Sequence, residues 1–383
     1  MLSEHIEAKL RESLQRLVCA KERGTKLVGY FPGGYVPEEL IVAAGAIPIC
    51  LIEGADNIAV ETSLIQMSRF ICPFSRAQVG GKILQRNPYY KIIDMLIAPI
   101  TCQHLKKVAE LWEYQGNMEI FKLGIPHQCI NDFEVEYYAD RLRALMDRLQ
   151  VLTDNTITDN KINDAIVQYN KIRRLFRQIS LLRRNTITPI SSLDFVRLNH
   201  ASFYADPIFI IEILEETLRD LRGKLPKEVS STPRLLIIGP NICNGDYKLL
   251  ELVDHVGGNI VIEELYEGIR TYWQEIAVGS DPLKSLIQGY LIDRIPPAFM
   301  RNSARKRFGN IIKLISEFNV SGVIWYQLTY CETYDSESFY FSQQLKQHNI
   351  PFLFVESDYA KSDIGQLSTR LQAFVEMLRL LGK

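Results

Sequence analysis

The sequence predicts an α/β protein with two Rossmann-like, doubly wound parallel-sheet domains and a helical connecting region. Three observations predict this fold class. The chain has 383 residues, which is more than one hydrophobic core usually supports. Two separate series of β-rich segments alternate with helical patterns. The β-rich segments are short, continuous apolar runs, as expected of strands that helices cover on both faces.

The first series of strands follows a charged amphipathic helix at the N-terminus. Its four predicted strands are KLVGYF (26–31), AIPICLI (46–52), DMLIAPI (94–100) and MEIFKLG (118–124). From residue 131 to about 182 the apolar residues recur at helical spacing. We therefore expect this region to form helices that pack across the two domains.

The second series follows the polar, proline-containing stretch 223–234. Its four predicted strands are RLLIIG (234–239), NIVIEEL (259–265), SGVIWYQ (321–327) and PFLFVES (351–357). Their alternation with helical segments again predicts a parallel sheet. We place the N-terminal domain at residues 1–195 and the C-terminal domain at residues 196–383.

Composition excludes several classes of function. The net charge is −1, from 44 basic and 45 acidic side chains, which gives no electrostatic reason to expect a nucleic-acid or membrane partner. No apolar run approaches the roughly 20 residues that span a bilayer, and the first residues lack the apolar core of a signal peptide. We therefore expect a cytoplasmic protein. Its 7 cysteines are odd in number and scattered, which argues against a disulfide framework.

Three cysteines stand just beyond a β-rich segment or a turn signal: Cys72, Cys102 and Cys331. Ligands of α/β proteins gather at strand ends. Three thiolates in one cleft could hold three irons of a [4Fe-4S] cluster and leave the fourth iron open. Two alternatives are inert buried thiols and a zinc site. The zinc site would use Cys102, His104, His127 and Cys129, but one intervening residue is an unusual spacing for paired zinc ligands.

A glycine turn follows the first predicted strand in FPGGYVPEEL. Gly33 and Gly34 permit a tight turn, and Glu38 and Glu39 then lie where the helix dipole favours negative charge. If this turn faces a substrate, Glu39 or Glu38 becomes a candidate proton acceptor. The sequence contains neither a phosphate-binding loop nor a complete dinucleotide fingerprint, so we do not expect it to hydrolyse ATP or bind NAD by those devices.

Five segments together resemble the 2-hydroxyacyl-CoA dehydratase and benzoyl-CoA reductase superfamily, in particular the D-component of 2-hydroxyglutaryl-CoA dehydratase. They are LVGYFPGGYVPEELIVAAGAIPICL, CPFSRAQVGGK, ITCQHLKKVAELWE, VSGVIWYQLTYCETYDSE and IPFLFVESDYAKSDIGQLSTRLQAFVEML. The resemblance spans nearly the whole chain. It implies a [4Fe-4S] cluster in the cleft between the domains, with Cys72, Cys102 and Cys331 as its ligands. It also implies an acyl-CoA substrate, a homologous second subunit in a heterodimer, and a separate ATP-dependent iron–sulfur activator.

The resemblance leaves three functions open. The first is the catalytic subunit of a 2-hydroxyacyl-CoA dehydratase, in which a low-potential electron forms a ketyl radical that expels the α-hydroxyl group. The second is a subunit of an ATP-dependent benzoyl-CoA (aryl-CoA) reductase. The third is a noncatalytic electron-relay partner.

Two further features bear on the site. Some members of the superfamily hold a double-cubane cluster, but among the additional positions this chain offers only Cys243, so a single cubane is expected and Cys243 is predicted to line the cleft. The basic stretches 171–184 and 301–308 could contact coenzyme A phosphates or a partner. Alternatively, their charges lie on solvated helix faces.

Overall fold

The N-terminal half of the computed structural model contains a four-stranded parallel sheet. The structure describes residues 2–116, 118–129, 131–223, 232–298 and 304–382. The strands are β1 (Leu27–Tyr30), β2 (Ile47–Cys50), β3 (Met95–Ile100) and β4 (Glu119–Gly124). Their order is β2-β1-β3-β4, with Gly29 of β1 paired to Ile49 and Leu96. All four strands of the first series are confirmed.

The C-terminal half contains a second four-stranded parallel sheet. Its strands are β5 (Arg234–Ile238), β6 (Asn259–Glu264), β7 (Gly322–Leu328) and β8 (Phe352–Ser357). Their order is β6-β5-β7-β8. Every residue of the central strand β7 is buried, because helices cover both faces of the sheet. The predicted fold class, α/β with two Rossmann-like parallel sheets, is confirmed.

Helices surround and connect the two sheets. Those of the N-terminal half are α1 (Leu2–Glu22), α2 (Glu38–Ala43), α3 (Asn57–Thr62), α4 (Pro73–Leu84), α5 (Pro88–Ile92) and α6 (Gln103–Tyr114). The connecting helices are α7 (Asp132–Thr153), α8 (Asp159–Leu182), α9 (Ser192–Ser202) and α10 (Pro207–Gly223). Those of the C-terminal half are α11 (Lys248–His255), α12 (Ile269–Tyr272), α13 (Pro282–Ile287), α14 (Ala304–Glu317), α15 (Glu332–Gln347) and α16 (Ile364–Leu381).

The connecting helices pack across the two halves. Helix α8 contacts α2 of the N-terminal half and α12 and α13 of the C-terminal half. The proposed domain boundary between residues 195 and 196 falls inside α9, and that boundary stays a prediction. Residues 224–231 of the polar stretch lie outside the described residues. None of the described helices combines the length and the apolar character that crossing a membrane requires.

Two arginines of the basic stretch 171–184 are buried in ion pairs. Arg173 donates to Glu39 at 2.5 Å, and both side chains are almost fully enclosed. Arg183 donates to both carboxylate oxygens of Glu263 at 2.6 and 2.7 Å. Both proposed locations, a phosphate site and a solvated helix face, are therefore wrong for these two residues. Residues 301–303 of the other basic stretch lie outside the described residues.

Candidate functional site

One cavity lies where the carboxyl ends of the two sheets face each other. In each sheet the strand order reverses between the two central strands, β1 and β3 or β5 and β7. Crevices at such switch points are the usual ligand sites of open α/β sheets. The loops after five strands line the cavity with Pro32, Thr101, Cys102, Pro240, Asn241, Tyr266 and Cys331, and Leu328 at the end of β7 also lines it.

The structure brings the three predicted cysteines to this cavity. Cys72 directly precedes α4, Cys102 precedes α6, and Cys331 precedes α15. All three line the cavity and all are free thiols. Cys72 and Cys102 belong to the N-terminal half, whereas Cys331 follows β7 of the C-terminal half. A group bound by all three would therefore join the two halves.

Each cysteine sits at a helix N-terminus, where backbone N–H groups are free to donate. The N–H of Leu105 donates to the Sγ atom of Cys102 at 3.4 Å. The backbone N–H groups of Phe74 and Tyr334, at the starts of α4 and α15, donate to Cys72 and Cys331 and oppose the effect of burial on the pKa values of these thiols. Three helix dipoles thus favour negative charge at one place. Such surroundings suit thiolates that bind iron.

Without a metal the three thiols do not ionise together. A hydrogen bond between Cys72 and Cys331 raises the pKa of Cys72 and lowers that of Cys331. Burial raises the pKa of Cys102 to about 12, against the opposing effect of the Leu105 N–H. Binding of a metal group would therefore release protons from this site.

His104 orients one of the cysteines. Its Nδ1 atom accepts a hydrogen bond from the backbone N–H of Cys72 at 3.3 Å. Burial lowers the pKa of the imidazole, so that the neutral form, which can accept, is favoured. His104 is thus a partly buried polar side chain whose Nδ1 atom has a hydrogen-bond partner.

The donor set fits a cluster better than a single ion. Across the described parts of the chain, no group of three or more His, Cys, Asp or Glu side chains is close enough to hold one metal ion. The zinc alternative gains no support, since His104 is engaged by Cys72 and His127 lines a neighbouring cavity. In a cluster each thiolate binds a different iron, so its ligands stand farther apart than those of one ion. The three cysteines that line the cavity offer one thiolate to each of three irons.

Glu39 lies outside the cysteine cavity. Its carboxylate is fully buried and receives hydrogen bonds from Arg173 and from the hydroxyl of Tyr290 at 2.8 Å. Its neighbour Glu38 accepts from the hydroxyl of Tyr30 at 2.6 Å, and burial raises the pKa of Glu38 to about 7. Both acids do occupy the first turn of α2, as predicted. The proton-acceptor role of Glu39 stays a prediction.

Cys243 does not line the cavity, and that prediction is wrong. The side chain of Asn241 lines the cavity and donates to the Cys243 Sγ atom at 3.3 Å. The thiol lies behind it, fully buried, within 2.8 Å of the Tyr359 hydroxyl. The reason is that the loop after β5 turns Asn241 rather than Cys243 toward the cavity.

A second, open cavity adjoins the first. Its volume is about 880 Å³, and it shares Thr101, Cys102, Glu332 and Thr333 with the cysteine cavity. Glu337 also lines it, and burial raises the pKa of this carboxyl to about 7. Sequence reasoning missed this cavity, as it missed Pro32 and Tyr266 as walls of the first. The only available signal was their position just after predicted strands.

Comparisons with known proteins agree on one family. A family model described as 2-hydroxyglutaryl-CoA dehydratase, D-component, matches residues 34–378. YjiM of Escherichia coli (strain K12), provisionally named a dehydratase subunit, is 27% identical over 363 residues, with 94% of this chain and 93% of the relative covered.

Two other relatives have names that specify a reaction. The (R)-2-hydroxyglutaryl-CoA dehydratase subunit beta of Acidaminococcus fermentans is 24% identical over 368 residues, with 94% of each chain covered. A benzoyl-CoA reductase subunit of Thauera aromatica is 22% identical over 363 residues, with 93% of this chain and 91% of the relative covered. Both are named as subunits of larger enzymes.

Proposed function

The chain belongs to the 2-hydroxyglutaryl-CoA dehydratase D-component family, and we propose that it is the iron–sulfur catalytic subunit of a 2-hydroxyacyl-CoA dehydratase-type enzyme. The observation that carries the proposal is the cavity at which Cys72, Cys102 and Cys331 meet. These three thiolates would hold three irons of a [4Fe-4S] cluster. When bound, the cluster supplies electron relay and a Lewis acid for a departing oxygen.

The reaction needs an electron because the hydrogen that leaves is on the β-carbon, where the carbonyl does not acidify it. A single low-potential electron converts the thioester carbonyl into a ketyl radical, which expels the α-hydroxyl group. The resulting enoxy radical then loses its β-hydrogen as a proton, and the ketyl of the unsaturated product gives the electron back, so that the net reaction is loss of water with no change of oxidation state. The acyl end of the substrate is proposed to occupy the open cavity beside Cys102, whose volume of about 880 Å³ lies in the range of ligand sites.

The chain is proposed to act with partners. Both relatives with named reactions are themselves named as one subunit of an enzyme, which supports a homologous second subunit and a heterodimer. The sequence has no phosphate-binding loop, so a separate ATP-dependent iron–sulfur activator would deliver the electron. Turnover should therefore require the partner subunit, the activator and ATP together.

The ligand assignment is tested by the iron and sulfide content of anaerobically prepared protein. The wild type is expected to hold one cluster per chain, with iron and sulfide in equal amounts. Cys72→Ala, Cys102→Ala and Cys331→Ala should each lose most of it. Cys19→Ala and Cys129→Ala are matched controls and should keep it, because neither side chain lines the cavity. Full iron content in the Cys331→Ala protein would reject the assignment.

A second candidate function is that of a subunit in an ATP-dependent benzoyl-CoA (aryl-CoA) reductase, supported by the similarity to the benzoyl-CoA reductase subunit of Thauera aromatica. The two functions differ in whether a substrate hydroxyl reaches the open iron. With the partner subunit present, a 2-hydroxyacyl-CoA carrying an oxygen-17 hydroxyl should broaden the paramagnetic signal of the reduced cluster.

Reduction of benzoyl-CoA to a diene, with 2-hydroxyacyl-CoA esters inert, would select the reductase instead. If neither compound perturbs the signal and neither is converted, the result favours the noncatalytic electron-relay subunit.

A further inference from the structure

One buried carboxylate ties the two halves of the molecule together beside the cysteine cavity. Glu267 lies in the loop after β6, and its Oε1 atom accepts hydrogen bonds from the N–H groups of Gly33 at 2.5 Å and Gly34 at 3.1 Å. The glycines form the turn after β1, in the other sheet. Glu267 is 5% exposed, so bulk solvent has little access to these bonds.

Other side chains hold the Gly33–Gly34 turn and the backbone of Glu267 in place. The guanidinium of Arg294 donates to the carbonyl oxygen of Gly34 and stacks on the ring of Tyr290 at 4.0 Å. The side chain of Asn199 donates to the backbone carbonyl of Glu267. Gly34 has φ of +72°, a conformation that favours glycine. The turn is thus held through both its N–H and C=O groups.

The hydrogen bonds between Glu267 and the Gly33–Gly34 turn join two walls of the cysteine cavity. Pro32, which directly precedes Gly33, lines the cavity from the N-terminal half, and Tyr266, which directly precedes Glu267, lines it from the C-terminal half. Cys72 and Cys331 come from the same two halves. The distance between these two thiols therefore depends on how the halves are held at this point.

We infer that Glu267 is a positioning residue whose carboxylate, by holding the Gly33–Gly34 turn, sets the separation of Cys72 from Cys331. The inference deepens the proposed function, on which its significance for the cluster rests. Its geometric content is independent of any metal. It can therefore be measured on cluster-free protein.

The experiment uses the reactivity of the two thiols toward each other. In cluster-free protein Cys72 and Cys331 lie within hydrogen-bonding reach, close enough to form a disulfide when the two halves are aligned. Diamide would take up two electrons and two protons as the S–S bond forms. Mass spectrometry of the Cys72–Cys331 linked peptide then gives the rate of linking.

Variants distinguish an effect of Glu267 on the separation of Cys72 from Cys331 from a general loss of stability. Glu267→Ala is expected to slow linking about tenfold, since it removes two hydrogen bonds to a charged group. Glu267→Gln keeps an amide oxygen that can accept from both glycines, and it should restore a rate near that of the wild type. Arg294→Met removes the donor to Gly34 at similar length and should also slow linking.

The matched control is another carboxylate that links the two halves. Glu53 accepts from the side chain of Asn244 at 2.8 Å but does not line the cysteine cavity, so Glu53→Ala should link at the wild-type rate. Wild-type linking in Glu267→Ala or Arg294→Met would overturn the inference. Equal slowing in Glu53→Ala would also overturn it, because the effect would then reflect general loosening.

Failure of this inference is distinguishable from failure of the proposed function. If the variants link as expected but wild-type protein never holds iron, the positioning role stands and the proposed function fails. If wild-type protein holds the cluster but Glu267→Ala links as fast as the wild type, the proposed function stands and the positioning role fails.

Discussion

Glu39 carries its charge where water does not reach. The carboxylate is fully buried, and its partners Arg173 and Tyr290 come from a connecting helix and from the C-terminal half. A buried ion pair is weak evidence for stability, yet removal of one partner leaves an uncompensated charge. The local structure therefore assigns Glu39 a part in holding α2 against α8, whatever its part in proton transfer.

Glu39→Ala is expected to lower the free energy of unfolding by about 3 kcal/mol, because Arg173 would remain buried without its partner. Glu39→Gln should lose less, since the amide oxygen can still accept. Urea denaturation measures both. Glu275→Ala, which breaks the exposed pair with Arg174, is the control and should change stability by no more than about 0.5 kcal/mol. Unchanged stability in Glu39→Ala would contradict the expectation. Lost turnover in a stable Glu39→Gln protein would support the proton acceptor.

The three cysteines could be found in the sequence because each stands at the end of a readable segment. The residues that orient these cysteines could not be found in the sequence in this way. Glu267 lies 234 positions from its partner Gly33, and His104 lies 32 positions from Cys72. No local pattern marks an acid or a histidine as the partner of a distant backbone N–H. These contacts depend on how the two sheets face each other.

At the level of elements, the sequence predicted all eight strands, but it did not predict every helical segment. Buried parallel strands leave continuous apolar runs that sequence reading detects. The π-helical segment Gln288–Asp293 was not predicted, because its apolar pattern does not differ from that of an ordinary helix. This segment carries Tyr290, which binds Glu39. The irregular element thus lies where the two halves meet.

Two helical glycines differ in how closely they are packed: Gly80 of α4 lies against α3, whereas Gly309 of α14 has open space around it. A Cβ atom on Gly80 would overlap the carbonyl oxygen of Ala59. Gly80→Ala should therefore lower the free energy of unfolding by about 2 kcal/mol, and it should weaken iron binding because α4 begins after Cys72. A Cβ atom on Gly309 of α14 would meet nothing within 4 Å, so Gly309→Ala should raise stability by up to about 1 kcal/mol. Urea denaturation measures the free energy of unfolding of both variants. Equal changes at the two glycines would contradict the packing argument.

At the scale of the whole molecule, the site exists only where two sheets meet. The sequence predicted both sheets and the three cysteines, but not their relative orientation, which depends on buried polar contacts between the halves. Glu267 and Arg294 provide such contacts on one side of the cysteine cavity, and Glu53 with Asn244 provides another elsewhere. Because these contacts include buried carboxyls, the alignment of the halves is coupled to protonation.

Burial raises the pKa of Glu267 to about 7, against the opposing effects of the two glycine N–H groups, Arg294 and Arg270. Glu38, which faces Glu267, has its pKa raised in the same direction. The unfolded chain releases the proton near pH 4.3. Between about pH 4.3 and 7 the folded state thus binds more protons than the unfolded state, so the contribution of Glu267 to stability falls as pH rises through this window.

Glu267→Gln isolates this contribution from opposing groups, such as the buried His200, whose pKa is lowered to about 3 by burial. The unfolding free energy of Glu267→Gln minus that of the wild type should increase between about pH 5 and pH 8, because only the wild type acquires a buried charge over that range. Urea denaturation at several pH values measures this difference. Glu275→Gln is the control: its carboxyl has a lowered pKa and is ionised in both states throughout, so its difference should stay flat. A flat difference for Glu267→Gln as well would mean that the carboxyl between the two sheets is already ionised at pH 5, and that protonation does not control the contact between the halves.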